Sequence, residues 1–172
     1  MRIELRTETA DETRDVGRTL AALLDPRDTV VLTGDLGAGK TTLVQGIGTG
    51  LGVEEHVSSP TFTLIREYTG RLGVAHVDVY RLDRVQDVVD LGLDEVGGPD
   101  RVLLVEWGDA VEDLLPGDLL RIELTTRDPD TEARRISIQP GGRAWVARWE
   151  RLEQALRPWM DVSDDAAGSE AE

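Results

Sequence analysis

Lys40 is the only lysine among the 19 basic residues of this chain, and it lies in the stretch GDLGAGKTT, Gly34 to Thr42. Gly34, Asp35, Leu36, Gly37, Ala38, Gly39, Lys40 and Thr41 match the phosphate-loop pattern G-x-x-x-x-G-K-[ST] in full. The residue types follow from the chemistry. Glycines let the backbone wrap a phosphate and aim N–H groups at its oxygens. A helix N-terminus adds partial positive charge. Lysine brings a slim point charge that arginine's planar fork cannot imitate in a tight loop. The Thr41 hydroxyl is placed to ligate Mg²⁺, and Thr42 completes the set expected to hold a nucleotide. A lysine dealt at random among 19 basic positions would fall in this loop about one time in 19, so its placement argues against an accidental glycine turn.

A phosphate loop needs a carboxylate at the end of a neighbouring buried strand to complete the cation site. Two candidates fit. Glu106 closes the apolar run Val102-Leu103-Leu104-Val105, and Asp78 sits between Val77 and Val79. The hydroxyl-rich segment SSPTFT offers Ser59, Thr61 or Thr63 as a switch that reaches the γ-phosphate or the metal; it reads equally well as a proline turn. The nucleotide is narrowed by elimination. Ras-type GTPases read guanine with Asn-Lys-x-Asp or Thr-Lys-x-Asp, whereas this chain has no asparagine and spends its single lysine in the loop. ATP is therefore expected. Small-molecule kinases use the same loop under an arginine-rich lid. Arg66, Arg71, Arg81 and Arg84 could imitate one, although no long insertion supplies it. Glu106 is followed by Trp107 rather than by a second acid, which predicts slow hydrolysis by the chain alone.

These groups need a frame. Thr9 to Glu12 reads as a capping box, with Val16, Leu20, Leu23 and Leu24 at helical spacing behind it, so a helix is expected over about 10–24. DTVVLT (Asp28 to Thr33) reads as a buried strand feeding the loop, and Lys40 to Leu51 as the helix leaving it. LIREY and VAHVDVY suggest a hairpin about Thr69-Gly70. A helix is expected from Arg84 to Leu91, a buried strand from Arg101 to Trp107, and a second hairpin from LLRIELTT and ARRISIQ. Trp145, Trp149, Leu152, Leu156 and Trp159 recur at spacings of 4, 3, 4 and 3, the stripe of a terminal helix over 143–160 that packs on the sheet. The expected fold is an α/β, P-loop NTPase-like three-layer domain over 1–160. Its central sheet is mixed and includes antiparallel hairpins. A disordered acidic tail is expected at 161–172.

Composition sets the outer limits. The formal charge is −15, which opposes direct binding of RNA or DNA, since neutralising phosphates supplies most of that affinity. No apolar run is long enough to span a membrane, and the N-terminus lacks the apolar core of a signal peptide. The chain has no cysteine, which excludes disulfides and cysteine-based metal or redox sites. With two histidines, His56 and His76, an ordinary zinc site is not expected. A cytoplasmic location is the expectation.

With GDLGAGKTT, SSPTFTL, HVDVYRL and LLVEWG in this order, the chain resembles the bacterial TsaE (YjeE) family of tRNA threonylcarbamoyladenosine biosynthesis proteins from about residue 9 to 140. The resemblance implies a Mg²⁺-dependent ATPase that works with two partner proteins, TsaB and TsaD, and is needed for repeated turnover. It implies that tRNA is met only through those partners. By motif it places Leu36 to Thr41 on the phosphates and Thr41 with Glu106 on the metal. Asp78 becomes a catalytic or metal-shell residue, Trp107 lies beside the nucleotide, and Thr9 and Arg134 are nucleotide contacts. The tryptophan-bearing helix and the tail lie beyond the family pattern.

Overall fold

The computed structural model describes residues 1–60, 63–80, 82, 85–107, 112–115, 117–126 and 128–161. Among them, strands β1 (Ile3–Thr7), β2 (Asp28–Thr33), β3 (Ile65–Tyr68), β4 (Gly73–Asp78), β5 (Arg101–Glu106), β6 (Asp118–Thr126) and β7 (Arg134–Pro140) form one seven-stranded mixed sheet. Its order is β1-β7-β6-β2-β5-β4-β3. The central strands β6, β2, β5 and β4 run parallel; β7 and β3 pair antiparallel on either side of them, and β1 pairs antiparallel with β7. The expected α/β architecture with two hairpins is present.

Helices α1 (Ala10–Ala21), α2 (Lys40–Gly50) and α5 (Arg143–Leu156) cover one face. Their buried side chains merge with Ile3, Leu5, Val30, Leu32, Leu104 and Ile122 in the larger core. The short helices α3 (Val85–Asp90) and α4 (Leu93–Gly97) form the thinner layer on the opposite face. There Val88 and Leu93 pack on Ala75, Val77, Leu103 and Val105. Strands β2, β5 and β4 are apolar on both sides because helices cover both, which is why the sequence shows continuous runs there rather than alternation.

The first helix starts where the capping box places it. Thr9 Oγ1 accepts from the Glu12 N–H at 3.1 Å. The return bond is displaced by one residue: Glu12 Oε2 accepts from the Glu8 N–H at 2.6 Å, not from Thr9. Helix α1 packs on α2 almost backbone to backbone. A Cβ on Gly46 would stand 2.1 Å from the Arg14 carbonyl oxygen, and one on Gly17 would stand 2.3 Å from the Leu43 carbonyl oxygen. This close approach brings the N-terminus of α1 beside the glycine-rich loop that leaves β2.

Several boundaries move from their expected places. Helix α1 ends at Ala21, three residues before Leu24. The first hairpin turns over Thr69 to Leu72, a longer loop than a Thr-Gly pair. Strand β5 stops at Glu106 because Trp107 takes a left-handed φ of 63°, a conformation that ends the strand. The terminal helix stops at Leu156, and a 3-10 turn over Arg157–Trp159, with Pro158 in its first turn, follows. Strand β1 and helix α4 were not foreseen. Within the expected tail only Asp161 is described, so that expectation lies outside the described residues from 162 onward. No helix among the described residues is long and apolar enough to cross a membrane.

Candidate functional site

Strands β2, β5 and β4 end level with one another at the carboxyl edge of the sheet, where α/β folds hold ligands. Their register pairs Leu32 with Glu106 and Glu106 with Asp78, so both candidate carboxylates arrive side by side next to the loop that leaves β2. Burial leaves Glu106 3% exposed and Asp78 4% exposed. Asp78 Oδ1 accepts from the Tyr80 N–H at 2.9 Å, which fixes the turn after β4.

The loop has the conformation its glycines permit. Gly34, Gly37 and Gly39 take φ of 132°, 81° and 103°. At Gly34 a Cβ would also stand 2.2 Å from the Leu124 carbonyl oxygen, so both backbone and space demand glycine. Lys40, the first residue of α2, is 5% exposed. Its Nζ donates to the carbonyls of Gly34 at 2.6 Å and Asp35 at 3.0 Å, and lies 3.9 Å from the Trp107 ring centroid. Burial pulls the Lys40 ammonium below its ordinary value, while the negative charges of Glu106, Asp78 and Asp35 pull it back up. The Thr41 hydroxyl donates to Glu106 Oε1 at 3.2 Å.

These groups line a cavity of about 630 Å³. On the loop side it takes in Leu36, Gly37, Gly39, Lys40, Thr41 and Thr42, and on the strand side Asp78, Glu106 and Trp107. Arg134 closes it from β7, its Nη2 donating to the Gly37 carbonyl at 3.3 Å and its Nη1 to the carbonyls of Thr131 and Ala133 at 2.8 Å each. Of the remaining loop residues, Ala38 is buried in the core and Gly34 and Asp35 meet Lys40 through their carbonyls. Thr9 caps α1, and its neighbours Ala10 and Thr13 are the residues of that helix that line the cavity. Thr61 lies outside the described residues. Ser59 reaches the cavity wall, whereas the Thr63 hydroxyl turns back to the Pro60 carbonyl at 3.5 Å. Of the arginines that could have formed a lid, Arg71 donates to the Ala21 carbonyl at 2.8 Å; Arg81 and Arg84 lie outside the described residues.

Sequence reasoning passed over Ala10 and four further residues at or behind this site. Tyr80 stacks on Trp107 with centroids 4.7 Å apart at 42°. Glu132 lines the cavity and accepts from the Ala10 N–H at 3.2 Å, tying the second hairpin to α1. Thr13 is held at 2.8 Å from Thr7 by their hydroxyls. His76 is fully buried with Nε2 2.8 Å from Glu106 Oε1. Only His76 left a signal: it precedes Asp78 by two residues in a strand, so both face the same way.

A triphosphate with a divalent cation fits this chemistry. The loop is shaped for close backbone approach, a desolvated ammonium stands at its foot, and a hydroxyl and a carboxylate share one corner. Comparisons with known proteins bear on the family. The model of the family described as "Threonylcarbamoyl adenosine biosynthesis protein TsaE" matches residues 7–136. A Bacillus subtilis protein described as "tRNA threonylcarbamoyladenosine biosynthesis protein TsaE" is 38% identical over 153 residues, 88% of this chain and 94% of its own length. A Streptomyces coelicolor protein of the same description is 43% identical over 140 residues, 77% and 93% of the two chains. The crystal structure of Bacillus subtilis YdiB superposes with a TM-score of 0.73 at 37% identity, covering 92% of this chain and 95% of that one.

Proposed function

The chain belongs to the TsaE family of tRNA threonylcarbamoyladenosine biosynthesis proteins, and on that premise we propose that it is the family's ATP-binding and hydrolysing component, slow alone and activated by TsaB and TsaD. One observation carries the reading: Lys40, Thr41 and Glu106 surround a single cavity at the carboxyl edge of the parallel strands. In it, Leu36 to Thr41 bind the phosphates through backbone N–H groups and the Lys40 ammonium. Thr41 and Glu106 would hold Mg²⁺, which would supply positive charge to offset that of the phosphates. Asp78, beside Glu106, orients the attacking water.

Dependence on partners is supported by what the cavity contains. Among the described residues, Arg134 is the only arginine lining it, and three backbone carbonyls already engage its guanidinium. A charge for the transition state is then supplied in trans; where an arginine acts this way it is worth roughly 10³–10⁵ in rate. The charge of −15 fits a protein that meets tRNA only through its partners in the cytoplasm.

Phosphate release by the full chain, alone and with TsaB, TsaD and tRNA, tests the reading. Slow release that rises at least about tenfold with the partners is expected. Release indifferent to them, with the γ-phosphate appearing on a small metabolite, would overturn it in favour of a small-molecule kinase.

A further inference from the structure

His76 stands in the middle of β4 with no measurable contact with solvent, at 0% exposure. Its Nε2 is 2.8 Å from Glu106 Oε1. An ionised carboxylate only accepts, so Nε2 carries the proton and donates it. In the neutral ring Nδ1 is then a bare acceptor, and among the described residues it has no hydrogen-bond partner. A buried polar atom left unpaired costs about 1–3 kcal/mol. An apolar residue would fill this strand position without that cost, as Val77 and Ala75 do beside it. The retained donor therefore points to what it holds.

That object is one oxygen of Glu106. Both His76 and the Thr41 hydroxyl donate to Oε1, from β4 and from α2, so two elements grip the same side of the carboxylate. The grip fixes the rotation of the carboxyl plane. It keeps Oε1 turned toward the strand and the helix, and the other oxygen remains for a cation in the cavity. Thr41 can serve a cation through its lone pairs only while its proton has somewhere to go, and Glu106 Oε1 is that acceptor. His76 has no such second duty. It lies behind the carboxylate and is absent from the cavity wall.

We propose that His76 is the positioning residue for the Mg²⁺ site: its Nε2–H sets the orientation of Glu106 and thereby the affinity for the cation, without touching nucleotide or metal. The inference rests on the reading of Thr41 and Glu106 as the cation ligands. Groups that support a ligand in this way are typically worth about 10–100-fold in metal affinity or activity.

Titration of the full-length protein with ADP by calorimetry, without and with increasing MgCl₂, separates positioning from packing. In His76→Phe the ring shape stays and the donor goes. Affinity for ADP without Mg²⁺ is expected to stay within about threefold of the parent, while the MgCl₂ concentration that half-saturates the Mg²⁺-dependent gain rises at least about tenfold. In His76→Gln the amide nitrogen reaches about as far as Nε2, and half-saturation returns to within about threefold of the parent. In His76→Asn the amide is too short, and half-saturation stays high. If the Phe variant does not fold, the Gln and Asn variants decide alone. Unchanged Mg²⁺ half-saturation in the Phe variant, or equal loss in Gln and Asn, would overturn the proposal. A parent protein whose ADP affinity ignores MgCl₂ would overturn the cation site itself and this role with it. Wild-type Mg²⁺ dependence in Glu106→Gln would instead show that a different carboxylate holds the ion, and would remove the reason for His76.

Discussion

Two cations at opposite ends of β2, Lys40 buried and Arg148 partly so, meet the same competition and settle it differently. At the start of the strand, Arg148 of α5 forks onto Asp28 at 2.7 and 2.8 Å, takes the Leu23 carbonyl at 2.8 Å, and lies over the Trp145 ring at 3.9 Å. Burial works against its charge, yet the hydrogen bonds and negative charge of Asp28 win, and the guanidinium sits above its ordinary value. Past the end of the strand, Lys40 faces burial as its largest influence, and Glu106, Asp78 and Asp35 do not fully offset it. The lysine reaches loop carbonyls instead of a carboxylate. The first cluster is complete within the chain. In the second the lysine and the carboxylates do not bond one another, an arrangement that suits the proposed ligand, which carries charges of both signs. A structural ion pair and a binding site thus differ less in their residues than in whether those residues satisfy one another.

The comparison breaks most visibly at the complete cluster. Arg148→Ala leaves Asp28, 3% exposed, without its guanidinium. Removing one partner of a buried pair costs about 3–5 kcal/mol, which for a chain of this size lowers Tm by roughly 10 °C. Nucleotide affinity at 25 °C is expected to stay at the parent value. Thermal melting and a binding titration read the two quantities, and a Tm within 2 °C of the parent, on the order of thermal-scan scatter, would deny that the clamp is complete. Lys40→Ala is the opposite case. The ammonium contributes charge-assisted bonds of about 1.5–3 kcal/mol each to a phosphate, so ATP affinity falls roughly 10³-fold. Tm changes little, because only two loop carbonyls and the face of the Trp107 ring lose a partner. Wild-type ATP affinity in that variant would refute the loop assignment.

How far the sequence shows this contrast depends on what each cluster needs. That Gly34, Gly39, Lys40 and Thr41 form one glycine-rich turn between strand and helix was legible because the sequence pattern is contiguous. Glu106 stood out because a carboxylate closing an apolar run has little structural reason to be there, and Asp78 because it interrupts the valines on either side of it. Their shared register was not legible, since parallel pairing between β4 and β5 is set by the tertiary fold. The Asp28–Arg148 clamp joins residues 120 positions apart, and nothing local marks either partner. His76 fell between these cases. Its alternation with Asp78 was visible, but the Glu106 oxygen that gives it meaning comes from another strand. Thr9 shows the limit from the other side: its capping role was readable from spacing and is observed, while its place beside a nucleotide rested on resemblance alone.

Within the incomplete cluster, the carboxylate and the lysine separate by step. Glu106→Ala removes the group that Thr41 and His76 both address. Turnover with partners is expected to fall roughly 10²-fold, since oriented electrostatic groups are worth about that much each. ATP affinity without Mg²⁺ should stay within about threefold, because the loop and Lys40 remain. Single-turnover hydrolysis beside an equilibrium titration checks both numbers. Normal turnover would transfer the role of main carboxylate to Asp78.

The smallest effect belongs to Trp107, whose ring is the only aromatic surface over Lys40 among the described residues. Its left-handed φ of 63° is costly for a bulky side chain, roughly 1–3 kcal/mol. A fold that keeps a tryptophan in that conformation gains something from the ring. A cation over a tryptophan face is worth about 0.5–1 kcal/mol where exposed and about 2 where desolvated, and Lys40 lies between these limits. Trp107→Leu keeps bulk and loses the face, so ATP affinity should fall about threefold to tenfold. Trp107→Phe keeps a weaker face and should fall by no more than about threefold. The order Trp, Phe, Leu is the informative outcome. If Phe and Leu bind ATP equally, the ring acts by packing against Tyr80 alone, and Lys40 is held by its two carbonyls without help from the aromatic face.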